Sequence, residues 1–343
     1  MQVNSPFSHS VRVVVVDYDG ADVLPQCTRS LAATTPDTVP VTVIDNASPV
    51  PSESLIPKEL KNRIDFVKLE QNFGYAGAIK AAWNLTSEDF LVIANNDLEF
   101  TEGWLEELMK TAVESGAYAV SAVILNEGES ELDGNANASL NYVLKLIPGV
   151  FTDRTKAVYP SGACFLLKKD SNCPVDPDYF LYYEDVHIGF YLRALEYPVV
   201  QCPDAVVRHT GSHSVRRANP SRIAFLQERN RLITQILFFD FPILIALSPL
   251  ILIDSLFKIP ECWIRGKPVL ATIYAHWWVL FNIGTILTKR LKLSKNDGFS
   301  RNRILSYITG KALPNDVPGS GLINALTTGW CRLFGIRATG SDG

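Results

Sequence analysis

Short apolar runs alternate with helically spaced stretches through the first half of the chain, the order that a parallel sheet with crossover helices requires. VRVVVV (11–16) predicts a buried strand, followed by Asp17, Tyr18, Asp19 and Gly20, a helix around 21–34, and a second strand VPVTVID (39–45) ending in Asp45 and Asn46. IDFVKLE (64–70) predicts a third strand leading to Gln71 and Asn72, and the small-residue run GYAGAIKAAWN (74–84) opens a helix able to pack closely on the sheet. FLVIANNDLEF (90–100) is a fourth strand that delivers Asn95, Asn96 and Asp97 to its end. Four strands thus end in polar residues, and a parallel sheet gathers those ends at one edge, where open α/β sheets bind their ligands.

Beyond this frame, residues 126–158 read as a polar, irregular loop over the site, and SGACFLLKK (161–169) reads as another strand. DPDYFLYYEDVHIGFYLRAL (176–195) supplies aromatics, the pair Glu184 and Asp185, and a helix with apolar positions at Ile188, Tyr191, Leu192 and Leu195. The acidic pair falls at that helix's N-terminus, where the macrodipole favours negative charge. A last strand, PVVQCP (198–203), leads to His209 and His213.

With 343 residues the chain exceeds what one core of about 250–300 residues organises, so we expect two parts, 1–231 and 232–343. The hydrophobic content of 47% has its source after residue 231. FPILIALSPLILI (241–253) carries no charge over thirteen residues, too few for a bilayer core of about 30 Å. Residues 268–288 carry none over twenty-one, but His276 and Asn282 interrupt them and basic residues flank both ends. From 258 to 311 there are ten Lys or Arg against Glu261 and Asp297, so this stretch is +8 and, with a net charge of −4, the rest is −12. Helices lying in the interface of an anionic membrane fit this composition, with a spanning segment or a homodimer contact as alternatives. Six cysteines without a CxxC pair indicate neither a zinc module nor a disulfide framework, and the N-terminal residues lack a signal-peptide pattern, so the expected location is the cytoplasmic face of the membrane. Basic residues beside apolar runs, without aromatic-studded grooves, argue against nucleic acid as a partner.

A carboxylate and two amides at a strand end suit a metal-phosphate site, because Mg²⁺ and Mn²⁺ bind through one or two carboxylates and complete their shells with water and phosphate. The alternative is that Asn95 to Asp97 merely cap a helix beginning near Thr101. The order of motifs VVVVDYDG, VTVIDNAS, NFGYAGAIKAAW, IANNDLEF, SGACFLLKK, FLYYEDVHIGFYLRALEYPVVQCPDAVVRHTGSHS and QERNRL, over roughly 11–232, resembles the family-2 inverting glycosyltransferases, especially the rhamnosyltransferase-like branch of bacterial surface-polysaccharide synthesis. That resemblance implies a GT-A α/β fold, a nucleotide-diphosphate sugar donor, a divalent cation (Mg²⁺ or Mn²⁺) and a saccharide acceptor, here lipid-linked on polyprenyl diphosphate. It makes Tyr18 and Asp45 contacts to base and ribose, puts Asn72, Gly74 and Asn96 beside the nucleotide, and makes Asp97 the metal ligand with His209 near the diphosphate.

Asp185 matches the family's catalytic base, with Glu184 flanking and holding it. An acceptor hydroxyl attacks an anomeric carbon well only as a carboxylate takes its proton, a contribution of about 10²–10⁴-fold. His187 stands where the family often has a further acid. Departure of a nucleoside diphosphate needs its growing charge stabilised. Six arginines lie between 208 and 231 with Glu228 as the lone acid, and Arg229 is the first choice for a clamp. The rival readings are a sugar nucleotidyltransferase, whose first turn is normally rich in glycine and arginine where this one is DYDGAD, and a catalytically silent scaffold at the membrane.

Overall fold

The computed structural model describes residues 9–126, 139–147, 157–210, 219–264, 266 and 268–336, with backbone alone at 126 and 259–264. The loop expected at 126–158 lies largely outside these residues, as do His213, Arg216 and Arg217. Contacts divide the chain into two compact units: 1–136, 159–188 and 198–217 form the first, and 137–158, 189–197 and 218–343 the second. This division differs from a single cut after residue 231, because 137–158, 189–197 and 218–231 group with the C-terminal part.

In the first unit, β1 (Val11–Asp17), β2 (Val41–Asp45), β3 (Ile64–Lys68) and β4 (Phe90–Asn95) are joined by α1 (Leu24–Thr34), a single turn α2 (Ser52–Leu55) and α3 (Gly74–Leu85). β5 (Leu98–Phe100), α4 (Trp104–Ser115), β6 (Ala119–Asn126), β9 (Cys164–Lys168), α5 (from Glu184) and β10 (Val199–His209) complete it. The eight strands form one sheet in the order β3-β2-β1-β4-β9-β6-β10-β5. β1 runs parallel to β2 and β4, with Asp17 beside Asp45 and Val16 beside Asn95, so the polar strand ends do share one edge. β9 is antiparallel to β4 and β6, and β5 is antiparallel to β10. The continuous valine run of β1 follows from burial on both faces, and Val13, Val15, Leu24, Leu31, Val43, Val92, Trp104 and Leu166 share one core.

Two local expectations change. The helix expected near Thr101 starts at Trp104, after Gly103 at φ 76°, and no side chain caps it. Asn95, Asn96 and Asp97 therefore do not cap that helix; they lead into β5 instead. The strand expected over 198–203 continues to His209, because a register shift between Gln201 and Val206 lets β10 resume its pairing with β6.

The second unit holds α6 (Pro220–Phe238), α7 (Phe241–Ile264), α8 (Val269–Phe281), α9 (Ile283–Leu293), α10 (Ser320–Arg332) and the C-terminal half of α5, which ends at Ala194. A small sheet there has the order β11-β7-β8, from β7 (Ser139–Asn141), β8 (Leu146–Ile147) and β11 (Ile308–Thr309). Asn219 caps α6 by accepting from Ser221 N at 2.9 Å, with Pro220 at the first helical position. At the other end, buried Arg290 donates to the carbonyls of Ile236 and Phe239 at 2.5 and 2.6 Å and to Asp240 at 3.2 Å, satisfying acceptors that the helix leaves over. α7 runs on past Asp254 for 24 residues, about 36 Å at 1.5 Å per residue, longer than the thirteen-residue apolar run suggested. The segment 268–288 is two helices bent by 67° at Asn282.

Within this unit the inward side of α6 is polar. Fully buried Glu228 accepts from Arg231 at 2.6 Å and lies against Lys258, and Arg231 and Gln235 donate to the carbonyl of Val143 at 2.9 and 3.0 Å. Burial alone would push Glu228 up, but the charges of Arg231 and Lys258 outweigh it and hold its carboxyl down at about 2. Because that value lies below its ordinary 4.5, the stability it supplies is present above about pH 4.5 and is lost as pH falls toward 2. Glu228→Ala leaves buried cations unpaired, and urea denaturation at neutral pH should show a loss of about 3–5 kcal/mol; a change under 1 kcal/mol would contradict this account.

Candidate active site

The edge where the parallel strands end is held together by buried polar side chains. Asp17, fully buried, accepts from Ser52 Oγ at 2.5 Å and Ser48 Oγ at 3.3 Å through one oxygen, and from Asn96 Nδ2 at 2.5 Å through the other. Burial raises its pKa, and these three hydrogen bonds act against the rise. A Cβ at Gly20 would lie 2.0 Å from Asp17 Oδ1 and 2.4 Å from Asn96 Nδ2, so only glycine lets the chain pass this close. Asp45 accepts from the backbone N–H groups of Ser48 and Ser52 at 2.7 and 3.2 Å. Asn46 accepts from Phe73 N at 3.0 Å and donates to Asn72 Oδ1 at 3.2 Å and Gly74 O at 3.1 Å.

The expected donor contacts therefore separate into two groups. Tyr18 is exposed at the mouth of the first turn, and Asn72 is half-buried, accepting from Gly74 N at 2.8 Å. Asp45 and Asn96 are buried and engaged in shaping the turns, so their described bonds are structural ones. Gly74 adopts φ 72°, and a Cβ there would meet Phe180 O at 2.2 Å. Arg229 belongs to the second unit, where its guanidinium stands over Phe225 and Trp278 at 5.6 and 5.1 Å and donates to Asn230 Oδ1 at 2.8 Å.

Asp97 and His209 do meet. Leu98 and His209 pair across β5 and β10, which sets His209 Nε2 3.4 Å from Asp97 Oδ2, with both side chains largely buried. Thr210 donates both its N–H and its hydroxyl to the Asp97 carbonyl, at 3.0 and 2.9 Å, fixing the backbone at Asp97. Among the described residues no three His, Cys, Asp or Glu side chains converge on one point. One carboxylate and one imidazole nonetheless fit a divalent cation whose other ligands are phosphate and water.

Glu184 and Asp185 open α5 after a strained turn. Phe180, Tyr182 and Tyr183 all have left-handed backbones, at φ 66°, 69° and 66°. Each such non-glycine residue costs roughly 1–3 kcal/mol, and such strain concentrates at functional sites. Asp185 accepts from Val186 N at 2.8 Å and is further stabilised by the Gly162 N–H, so the backbone holds it, and not Glu184 as expected. Burial pushes Asp185 up to about 6. Burial and then the charge of Asp185 push Glu184 well above the carboxylate range, and its Oε2 is buried with no hydrogen-bond partner among the described residues. His187 is buried with Nδ1 3.3 Å from the Tyr179 hydroxyl.

Sequence reading did not single out Tyr75. Its hydroxyl donates to Gly162 O at 2.7 Å, and burial followed by the charges of Glu184, Asp185 and Asp97, among others, raises its pKa well above the usual phenol range. Glu184, Asp185 and Asp97 thus lie within electrostatic reach of one side chain. Gly162 has the same kind of tightness, since a Cβ there would sit 3.1 Å from Asp185 Oδ2. The tyrosine lies inside NFGYAGA and the glycine inside SGACF, but no periodicity or spacing marks either.

Residues 12–173 match the sequence profile of the family described as Glycosyl transferase family 2, a segment that ends before Glu184. The structure is similar to that of GalNAc-T7 with UDP, GalNAc and Mn²⁺, at a TM-score of 0.55 and 12% identity over 81% of this chain and 57% of that one. The chain therefore spans little more than half the length of that relative. It is also similar to S. aureus TarS 1-349 in complex with UDP (TM-score 0.53, 13% identity, 94% and 89% of the two chains). The mannosyltransferase PcManGT from Pyrobaculum calidifontis in complex with GDP-Man and Mn²⁺ aligns at 0.50 and 15% identity over 84% and 86%. At such identities the likeness establishes the fold, a mixed α/β architecture of GT-A type. No curated protein sequence matches the chain significantly.

Gly74→Ala should destabilise the first unit by roughly 2–4 kcal/mol, combining left-handed strain with the clash against Phe180. Denaturation midpoints test this, and a loss below 0.5 kcal/mol would show that the turn before Asp185 is not under this constraint.

Proposed function

We propose that the protein is an inverting, metal-assisted glycosyltransferase that moves a sugar from a nucleotide-diphosphate donor to a saccharide hydroxyl. The observation that carries this reading is the Asp97–His209 pair at the carboxyl edge of the sheet together with Asp185, whose pKa is raised, both carboxylates within electrostatic reach of Tyr75. The family match over 12–173 and the UDP, GDP-Man and Mn²⁺ in similar structures support it.

In this reading Asp185 takes the proton of the acceptor hydroxyl while its oxygen attacks the anomeric carbon from the face opposite the diphosphate. The new glycosidic C–O bond forms as the bond from C1 to the phosphate oxygen breaks, inverting the anomeric configuration and releasing nucleoside diphosphate. Glu184 stays protonated beside the base, so the helix N-terminus carries one negative charge to be used in the step. Asp97 and His209 would hold a divalent cation, which when bound neutralises charge growing on the leaving diphosphate. Tyr18 and Asn72 lie at strand ends open to the nucleoside, while Asp45 and Asn96 shape that pocket from behind.

The motif order supports a rhamnosyl or hexosyl donor and a polyprenyl-diphosphate-linked acceptor in surface-polysaccharide synthesis. The basic, apolar C-terminal region supports work at the cytoplasmic face of a membrane.

Asp185→Asn should lower kcat by about 10²–10⁴-fold with donor affinity unchanged. The wild-type rate should fall below pH 6 as the base becomes protonated. Turnover of Asp185→Asn at near wild-type rate would remove Asp185 from its role. Asp97→Ala should abolish the Mn²⁺ dependence of donor binding measured by calorimetry; donor affinity indifferent to both this substitution and EDTA would remove the cation.

A further inference from the structure

Three helices of the second unit are inside out. On α7 large apolar side chains are exposed at helical spacing, with Phe241, Ile245, Leu252, Leu256 and Phe257 each 53–72% exposed. Asp254 and Lys258 of the same helix turn inward: Asp254 accepts from Lys145 at 2.5 Å, and Lys258 pairs with Glu228. On α8 the outward stripe is Leu270, Tyr274, Trp277, Leu280 and Phe281. α10 repeats the inversion, exposing Leu322, Leu326, Trp330 and, just past its end, Leu333 while burying Ser320, Asn324 and Thr327. Buried Asn324 is satisfied by the backbone of Ala312 and Leu313, at 2.9–3.0 Å. The indole of Trp330 donates to Ala246 O at 2.9 Å, joining the α10 stripe to α7.

A water-facing helix carries its polar residues outward. Stripes this apolar mark a surface that meets something other than water. We propose that the outward stripes of α7, α8 and α10 form a monotopic docking face that enters one leaflet of an anionic bilayer without crossing it. The inference deepens the membrane partner of the reading above.

Length alone would let α7 cross, since 24 residues reach about 36 Å against a core of about 30 Å. Its ion pairs decide otherwise. Asp254 and Lys258 are tied to Lys145, which follows β7, and to Glu228 on α6, so that side of α7 is committed to protein. The outward side of α6 is wet, with Ser221, Arg222 and Gln227 exposed. One apolar side and one polar side describe a body lying on a membrane. The 67° bend at Asn282 likewise denies 268–288 a straight crossing. Lipid, and not a second copy, is favoured by Tyr274, Trp277 and Trp330, residue types that settle at headgroup level, and by the cations Lys292 and Lys295 exposed at the end of α9.

The full chain should sediment with sealed vesicles of phosphatidylcholine containing phosphatidylglycerol, and less with phosphatidylcholine alone. The triple variant Ile245→Glu, Phe257→Glu, Trp277→Glu, altered only at exposed positions, should lose partition by about tenfold or more. Its circular dichroism and its turnover with a soluble acceptor should not change. External trypsin should leave no protected fragment, as the chain lies on one side. Absence of binding to either vesicle, a stable dimer in buffer that the same substitutions dissociate, or a protected fragment containing 241–264 would each overturn the proposal. Sedimentation without any nucleotide-sugar turnover would instead count against the enzymatic reading and leave the docking face standing.

Discussion

The site rests on a constraint of parallel sheets: strands that start together also end together, so whatever polar groups terminate them must be reconciled at one edge. Here Asp17 does the reconciling. Its two oxygens take hydroxyls from the turn after β2 and the amide of Asn96 after β4, binding three chain segments through one buried carboxylate. Burying a carboxylate is costly unless it is hydrogen-bonded, and here each hydrogen bond also fixes the position of a loop. Gly20 is the geometric condition for this arrangement, since any side chain there would occupy the place of the bond.

On that fixed edge the reactive groups are arranged by backbone, with few side-chain crutches. Asp97 is held through its carbonyl by Thr210 and faces His209 across an antiparallel pair. Asp185 is held by N–H groups at the start of α5 and by the Gly162 segment, itself clamped by Tyr75, by Ser161 N donating to Ser121 Oγ at 2.9 Å and by Ala163 O accepting from Asn95 N at 2.9 Å. The left-handed run at Phe180, Tyr182 and Tyr183 is the strained element. Packing of Phe180 over Gly74 and its bond to Ala76 N at 3.1 Å help to offset that strain. A carboxylate raised by burial to about 6, at the end of a strained turn, has the pKa that the proposed role as base near neutrality calls for.

Much of this was legible in the sequence. The valine run, the polar strand ends and the Glu184–Asp185 pair at a helix start each follow from local pattern, and the structure places them as expected. What pattern could not convey was which polar residues are spent on holding the turns together. Asp45 and Asn96 carry the same chemistry as Asp97, yet partners distant in sequence, Ser52 and Asp17, decide their roles. Distance in sequence also hid the full length of α7: Asp254 reads as an end to an apolar run until Lys145, more than a hundred residues earlier, is seen to neutralise it. Tyr75 escaped notice because its meaning comes only from Gly162 and the carboxylates that the fold assembles around it.

Glycosyl transfer at this edge is tested most directly by nucleoside diphosphate release across a panel of nucleotide sugars, with Mn²⁺ or with EDTA, in wild type and Asp185→Asn. The account predicts that one donor is consumed with Mn²⁺, that EDTA suppresses its release, and that the substitution removes turnover while thermal shift still detects the bound donor. A protein that neither binds nor consumes any donor in the panel would contradict it.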